Sequence, residues 1–220
     1  MFFKDIKDIK EVLKNNGIIE FEDKTLVLAS NSNTRFRIME RAGLKFVVVP
    51  SLADEDELKK LFNKIDNKEK ACEYVKLLAL SKAKWVKEHT KNAVVLAADT
   101  IAFCNDEILE KPKDELDARR IFSLISNSIH DVITGVCIIY DSNVDNFSKV
   151  SPIKMLEISK ELQDVLVKDE LTYTYAGGYC IDGNLEGRAI VESKDFDNIL
   201  GLPIDEIIEK LKEAGYDFSK

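Results

Sequence analysis

The sequence lacks features that mark several common classes of protein. No run of apolar residues is long enough to span a membrane, so we expect no membrane association. The chain contains neither the P-loop of many nucleotide-binding proteins nor the G-x-S-x-G turn of esterases, which argues against those two chemistries. The segment MFFKDIKDIKEVLKNNG is too charged for a signal peptide. We therefore expect a cytoplasmic protein.

An excess of positive charge is also missing. The formal net charge is −8, whereas proteins that coat nucleic acid carry the opposite excess because they displace counterions from phosphates. Polymeric nucleic acid is therefore not an expected partner. A small phosphorylated substrate is still compatible with this charge, because one basic pocket and a metal ion can hold it.

The four cysteines show no zinc-ligand spacing. Cys72, Cys104, Cys137 and Cys180 lie far apart, each in an apolar stretch. We expect buried free thiols in a reducing compartment rather than disulfides or metal ligands.

Apolar residues make up 45% of the 220 residues, which is enough for a buried core. Short apolar runs alternate with helical patterns, and a hairpin around Asn105-Asp106 interrupts the order. The pattern predicts an α/β fold with a mixed sheet and flanking helices. Its predicted elements include an N-terminal helix ended by Gly17, a strand at residues 25–29, a long helix over about 67–89, a strand at 94–98, and helices capped by Asp114 and Ser159. In the helix after Asp114, we expect Leu116, Ile121, Leu124 and Ile125 to face inward.

Polar residues follow two of the predicted strands. The run Ser30-Asn31-Ser32-Asn33-Thr34-Arg35 joins a strand to a helix, so hydroxyls, free N–H groups and the helix dipole favour an anion there. Arg35 would add a fork of donors. By itself, an ordinary helix N-cap explains this run as well.

Asp99 directly follows the buried run VVLAA, which would hold its carboxylate rigidly as a metal ligand or general base. A turn aspartate that bonds its own backbone is an equal alternative. Lys82 and Lys111 could neutralise phosphate charge, although a snorkelling lysine and a solvated lysine are the plain alternatives. His89 and His130 have no acidic or cysteine partner at ligand spacing, so the sequence assigns them no role.

Taken in order, these segments resemble the Maf family of nucleoside triphosphate pyrophosphatases. The resemblance covers roughly residues 26–211 and is strong because several motifs keep their order. The segments that carry it are LASNSNTR, GLKFVVVPSLADEDE, LALSKA, AADTI, LEKPKDELDARRIF, HDVITGVCI, AGGYCIDG and FDNILGLPIDEIIEKL.

The resemblance implies a two-lobed fold related to the inosine triphosphatases, with the active cleft between the lobes. Residues 1–24 then form an N-terminal helical extension, 25–214 one catalytic domain and 215–220 a tail. It implies hydrolysis between the α and β phosphates with Mg²⁺ or Mn²⁺, and commonly a homodimer. Asp99 takes the catalytic position, as base or metal ligand, and Glu55 is a second candidate metal ligand. The substrate-binding positions are Ser30, Arg35, Lys82, Lys111 and, facing the base, Asp182.

The chain departs from the family pattern at three positions. Thr34 stands where the family has an arginine, Tyr175 where it commonly has a lysine, and Asp182 where it has glutamine or glutamate; Arg37 is a candidate to compensate for Thr34. Asp-Thr after the strand, with Glu-Lys-Pro downstream, resembles the dTTP/UTP branch more than the 7-methyl-GTP branch. The alternative function is a nucleotide-binding regulator of septum formation with weak or no turnover, which the change at Thr34 favours. A purely structural module has little support.

Overall fold

A mixed β-sheet forms the centre of the fold. The computed structural model describes residues 17–62, 65–191, 194 and 196–219. The strands within these ranges are β1 Ile19–Leu28, β2 Val47–Val48, β3 Thr90–Cys104, β4 Glu107–Leu109, β5 Ile129–Tyr140, β6 Asn143–Met155 and β7 Ala189–Ile190. The predicted α/β fold with a mixed sheet is confirmed.

The strands follow the order β2-β1-β3-β5-β6-β7, and β4 pairs with β3. β1 runs parallel to β2 and β3, and the other pairings are antiparallel. The predicted hairpin around Asn105-Asp106 is confirmed as the β3–β4 turn, in which both residues have positive φ. Asparagine and aspartate tolerate that conformation better than most residues.

Helices flank the sheet. In chain order they are α1 Asn33–Arg41, α2 Asp56–Leu61, α3 Lys68–Glu88, α4 Glu115–Ile125, α5 Lys160–Leu166, α6 Phe196–Ile199 and α7 Ile204–Glu213. Asp114 and Ser159 cap α4 and α5 through their side chains, as predicted. One expectation for α4 is wrong: Leu116 is 80% exposed, and Ala118 and Phe122 are buried instead. Leu116 lies two residues, or about 200° of helix rotation, before the buried Ala118, which places it on the opposite face of α4.

The long helix α3 packs closely on the sheet. Gly135 in β5 makes this approach possible, because a Cβ atom there would lie 2.3 Å from the backbone carbonyl of Val75. Any larger residue at 135 would push the helix away. Since α3 also carries Lys82, this contact fixes the height of that lysine above the sheet.

Two parts of the sheet have different cores. Around the first part, residues of β1, β3 and α3 pack on one face, and residues of α1 and α7 pack on the other. Beyond the middle of β3, Ala102 packs with Phe122 of α4 and with Tyr179 and Ile181 of the following loops. The molecule therefore has two lobes that share β3. All four cysteines are free thiols, and Cys104, Cys137 and Cys180 are buried as expected, but Cys72 is only half-buried.

The two ends of the chain differ from the expected organisation. The predicted N-terminal helix falls mostly on residues 1–16, which lie outside the described residues. β1 begins at Ile19, earlier than the predicted strand, because Ile19 and Glu20 pair with Thr90 and Lys91 before a register shift. Within the tail, the Phe218 carbonyl accepts a 2.6 Å hydrogen bond from the Lys45 amide, so the segment packs on the fold. Across the described ranges, no helix has the length and apolar character needed to cross a bilayer.

Candidate active site

An interruption in strand pairing opens a cleft at the middle of β3. On one edge, β3 pairs with β1 as far as Leu96 and with β4 from Ala102 onward. On the other edge, β5 covers Val95 to Phe103 without a break. Asp99 and Thr100 thus lie where the first edge has no partner strand among the described residues. A side chain at such a gap is held by a rigid strand and remains accessible to a ligand.

The cleft has a volume of about 660 Å³, within the range of small-molecule sites. Its polar wall comes from the turn before α1, from α3 and from β3. Its more apolar wall comes from the loop and helix residues Ala176, Tyr179, Ile181, Ile199 and Leu200. Ser30, Arg35, Glu55, Lys82, Asp99 and Lys111 all line it, so the structure brings together six of the seven predicted site residues.

Asp99, Lys82 and Glu55 form a charged group in the cleft. The Lys82 ammonium pairs with an oxygen of Asp99, and it lies 3.2 Å from Glu55 Oε1. The side chains of Lys82 and Asp99 are each 17% exposed. Both carboxylates are therefore within reach of one cationic position. Lys82 can therefore pair with an anion that enters the cleft, and the two carboxylates can pair with a metal ion.

Arg35 is held by three separate oxygens. Its Nε donates to the Gly201 carbonyl at 2.8 Å, one terminal nitrogen donates to Thr100 Oγ1 at 3.0 Å, and the other donates to Ser30 Oγ at 3.3 Å. Burial lowers the pKa of the guanidinium, while the charges of Asp99 and Glu55 oppose that shift. The group still carries its positive charge at neutral pH. It is thus a fixed cation between the two lobes.

Gly201 is required for this contact. Its φ of +104° is unfavourable for other residues, and a Cβ atom would lie 3.2 Å from Thr100 Oγ1 and 3.5 Å from Arg35 Nε. The glycine therefore lets its carbonyl approach the guanidinium.

The N-terminus of α1 also faces the cleft. Ser32 caps the helix by accepting from the Arg35 amide at 3.3 Å, and Ser30 Oγ accepts from the Ser32 amide at 3.1 Å. Asn33 and Thr34 line the cleft beside them. The predicted N-cap is therefore present, and the same turn presents the positive end of a helix to the cleft.

Asp182 is the predicted site residue that does not line the cleft. It is exposed and accepts from the Cys180 thiol, with Sγ and Oδ1 2.7 Å apart. Burial, followed by this bond to Asp182, raises the pKa of Cys180 to about 11, so the thiol stays protonated. Asp182 is therefore connected to the cleft only indirectly, by its hydrogen bond with Cys180, which does line the cleft.

The other departures from the family pattern meet at the mouth of the cleft. Thr34 and Tyr175 both line it, and the Tyr175 hydroxyl interacts with the side chains of Thr34 and Cys180. Arg37 is exposed and does not line the cleft, so it does not stand in for the missing arginine. Two residues along an α-helix correspond to about 200° of rotation, which turns Arg37 away from the direction of Arg35.

The sequence did not lead us to expect a chain of hydrogen bonds between polar groups behind Asp99. Thr100 Oγ1 lies 3.0 Å from Thr134 Oγ1, and Thr134 donates to the Asn198 carbonyl at 3.0 Å. Asn198 donates in turn to Ser151 Oγ at 2.8 Å. Thr134, Ser151 and Asn198 are buried and Thr100 is half-buried, and together they connect β3 and β5 to the segment that carries Gly201. The sequence does contain one indication of these hydrogen bonds: Thr134 is a polar residue within the apolar run VITGV.

The carboxylates of the cleft are suited to a cation that also binds the substrate. Within the described ranges, no three His, Cys, Asp or Glu side chains converge as a complete metal cage. Mg²⁺ characteristically uses one or two carboxylates together with water and substrate phosphates. Asp99 and Glu55, which share Lys82 as partner, fit that requirement.

Comparison with known proteins gives consistent matches along almost the whole chain. The family model described as Maf-like protein matches residues 25–214. A dTTP/UTP pyrophosphatase of Pyrococcus furiosus (strain ATCC 43587 / DSM 3638 / JCM 8422 / Vc1) is 35% identical over 90% of this chain and 98% of its own length. A dTTP/UTP pyrophosphatase of Geobacter sp. (strain M21) is 31% identical, with 88% and 97% covered. One of Bacillus cereus (strain ATCC 10987 / NRS 248) is 32% identical, with 88% and 92% covered.

Proposed function

The chain belongs to the Maf family, and we propose that it hydrolyses nucleoside triphosphates, chiefly dTTP or UTP, to the monophosphate and pyrophosphate. The observation that carries this proposal is the convergence of Asp99, Lys82 and Arg35 on one cleft beside the N-terminus of α1. The names of the similar proteins support the same reaction and the pyrimidine substrates.

The polar wall suits a triphosphate. Arg35 is a fixed cation, Lys82 and Lys111 add two more positive charges, and the first turn of α1 offers backbone N–H groups. These groups offset the dense negative charge that would otherwise repel an attacking water. Lys82 can move from Asp99 to a phosphate oxygen, which leaves the Asp99 carboxylate free to accept a proton from that water.

A divalent cation, Mg²⁺ or Mn²⁺, is part of the proposal. Asp99 and Glu55 would hold it, since both carboxylates reach one cationic position. Such an ion, when bound, supplies charge neutralisation and lowers the pKa of a coordinated water. The remaining roles belong to the chain itself: Arg35 orients the phosphates, and Asp99 orients the water.

The apolar wall suits the nucleobase. Tyr179, Ile181 and Leu200 line the cleft away from the charged group, and they belong to or pack on the core of the second lobe. Bases have apolar faces, so packing there would set the distance between base and phosphates. Asp182 and Cys180 lie beside this wall and could contribute polar contacts to the base edge.

The alternative of a nucleotide-binding regulator without turnover is not favoured. The change at Thr34 removes one cation, but Arg35, Lys82 and Asp99 are all in place. We further propose that the enzyme is a cytoplasmic homodimer. Its four free thiols suit a reducing compartment, and light scattering of the purified protein would test the dimer.

A substrate panel tests the proposed reaction. The purified chain is incubated with Mg²⁺ or Mn²⁺ and with common and modified nucleoside triphosphates, and pyrophosphate release is measured. We expect the fastest release from dTTP and UTP, and none when a chelator removes the cation. Nucleotide binding without release from any member would refute the enzymatic function.

A further inference from the structure

A buried histidine supports the apolar wall of the cleft. His130, near the start of β5, is only 3% exposed, and its Nε2 lies 2.6 Å from the Tyr179 hydroxyl. The two rings are nearly perpendicular, at 88°, with centroids 5.4 Å apart. Tyr179 lines the cleft but His130 does not. Tyr179 is itself only 6% exposed and belongs to the core of the second lobe, so it contributes a small part of its surface to the cleft while its hydroxyl is bonded to His130.

The histidine is neutral under ordinary conditions. Burial lowers the pKa of His130 to about 4, against an opposing influence of Asp131. Burial also raises the pKa of Tyr179, so its hydroxyl keeps its proton. A neutral imidazole offers one donor and one acceptor. If the tyrosine O–H donates to Nε2, the histidine carries its proton on Nδ1.

That tautomer leaves the fewest polar groups unsatisfied. His130 Nδ1 is buried and has no hydrogen-bond partner in the described part of the chain. With the proton on Nε2 instead, both the tyrosine O–H and Nδ1 would lack a partner. Even the better arrangement buries one unpaired N–H, which costs stability, whereas an apolar pair of the same shape would not. The pair is thus poorly explained by folding stability alone.

The backbone beside Tyr179 restricts the ring from another side. Gly177 has a φ of +71°, and a Cβ atom there would lie 2.8 Å from Tyr179 Cε1. The ring therefore packs directly on the glycine, and its hydroxyl is anchored to His130. The ring is therefore held both at its edge and at its hydroxyl.

We propose that His130 is a positioning residue for the substrate: by holding the Tyr179 hydroxyl, it fixes the tyrosine in the wall against which the nucleobase packs. This inference rests on the proposed function, because the ligand is taken to be a nucleotide. We expect the contacts with the phosphates to be independent of His130, because the polar wall is built from other elements. The two walls should therefore respond differently to its removal.

The test compares the binding of two ligands, one that contains the base expected at the apolar wall and one that contains only the phosphates expected at the polar wall. Uridine monophosphate carries the base, and inorganic pyrophosphate carries only phosphates. Binding of each is measured by calorimetry for the full chain and for His130→Phe, which keeps an aromatic ring but removes the acceptor. We expect the Kd for uridine monophosphate to rise about tenfold, and the Kd for pyrophosphate to change less than about twofold. In turnover of UTP, KM should rise while kcat stays nearly constant.

Two further variants sharpen the comparison. His130→Gln keeps an acceptor for the tyrosine hydroxyl and should recover most of the lost affinity. His89→Phe is the matched control, because His89 stacks on Trp85 and does not line the cleft. If His130→Phe does not fold, Tyr179→Phe removes only the hydroxyl and should show the same selective loss.

The inference is overturned if uridine monophosphate binds His130→Phe as tightly as wild type while only the melting temperature falls. It is also overturned if both ligands weaken equally, or if the wild-type chain does not bind the monophosphate. The experiments distinguish failure of the proposed reaction from failure of the inference about His130. A wild-type chain that binds both ligands but releases no pyrophosphate from UTP would refute the enzymatic function, and the binding comparison would still decide the role of His130.

Discussion

The polar and apolar walls of the cleft are built in different ways. The polar wall consists largely of charged side chains. Among them, Arg35 is held by Gly201 and Thr100, and Lys82 pairs with Asp99 and Glu55. The apolar wall is the edge of a hydrophobic core, shaped by a loop that contains Gly177 and Tyr179. Under the proposed function, the polar wall would determine the reaction and the apolar wall would determine which nucleotide reacts.

Among the variants considered, removal of the Asp99 carboxylate should cause the largest loss of activity. The change concerns the polar wall alone. Asp99→Asn keeps the size of the side chain but cannot accept a proton, so we expect kcat to fall about 100-fold or more. Steady-state pyrophosphate release measures this. Asp164→Asn, at an exposed position paired with Arg119, is the matched control. Full activity in Asp99→Asn would remove the residue from the mechanism.

Replacement of the fixed cation should have the next largest effect. Arg35→Lys keeps the charge but loses the fork that contacts Gly201, Thr100 and Ser30 together. We expect kcat/KM to fall about thirtyfold, since a lysine cannot reproduce that geometry. Arg37→Lys, two residues further along α1, should have no effect. Equal losses in the two variants would mean that Arg37 also serves the cleft.

A pH prediction concerns the support of the apolar wall. The pKa of His130 falls from 6.5 to about 4 on folding because of burial. The unfolded chain therefore binds a proton first as the pH drops, and the contribution of His130 to stability is lost between pH 6.5 and 4. At pH 5.5 the loss is about 1.4 kcal/mol relative to neutral pH.

Denaturant unfolding at pH 7.5 and 5.5 measures this loss. The His130→Gln variant should lose less stability than wild type over the same interval, by about that amount. An identical loss in the two proteins would show that His130 does not titrate as described.

The smallest expected effect is at the mouth of the cleft. Thr34→Arg adds a cation where Thr34 lines the cleft beside Tyr175, and we expect KM to fall about threefold. Thr34→Gln gives a long uncharged side chain and serves as the control. If KM does not fall in Thr34→Arg, the phosphates are already fully neutralised by the existing groups.

The sequence predicted the polar wall better than the apolar wall. Ser30 and Arg35 lie at a strand-to-helix junction, which the local pattern displays. Asp99 follows the apolar run VVLAA in the sequence, but the structure places it within β3 rather than after the strand, because β3 continues to Cys104. The predicted helix around Lys82 is confirmed as α3, with Asn67 as its N-cap. Such features depend on neighbours in the chain, which a sequence displays directly.

The apolar wall depends on contacts between distant segments. The bond between His130 and Tyr179 joins residues 49 positions apart, and no periodicity indicates it. Similarly, Thr134 and Asn198 meet only because β5 and the segment after β7 converge on the cleft. The early start of β1 was missed for the same reason: Ile19 and Glu20 acquire their strand partners, Thr90 and Lys91, from β3.

The most direct test of the account is the product balance with a single substrate. UTP is incubated with the wild-type chain and Mg²⁺, and all phosphorus-containing products are separated and quantified over time. The account predicts uridine monophosphate and pyrophosphate in equal amounts, with no uridine diphosphate. Formation of uridine diphosphate and orthophosphate would contradict it, because the cleft would then cleave a different bond.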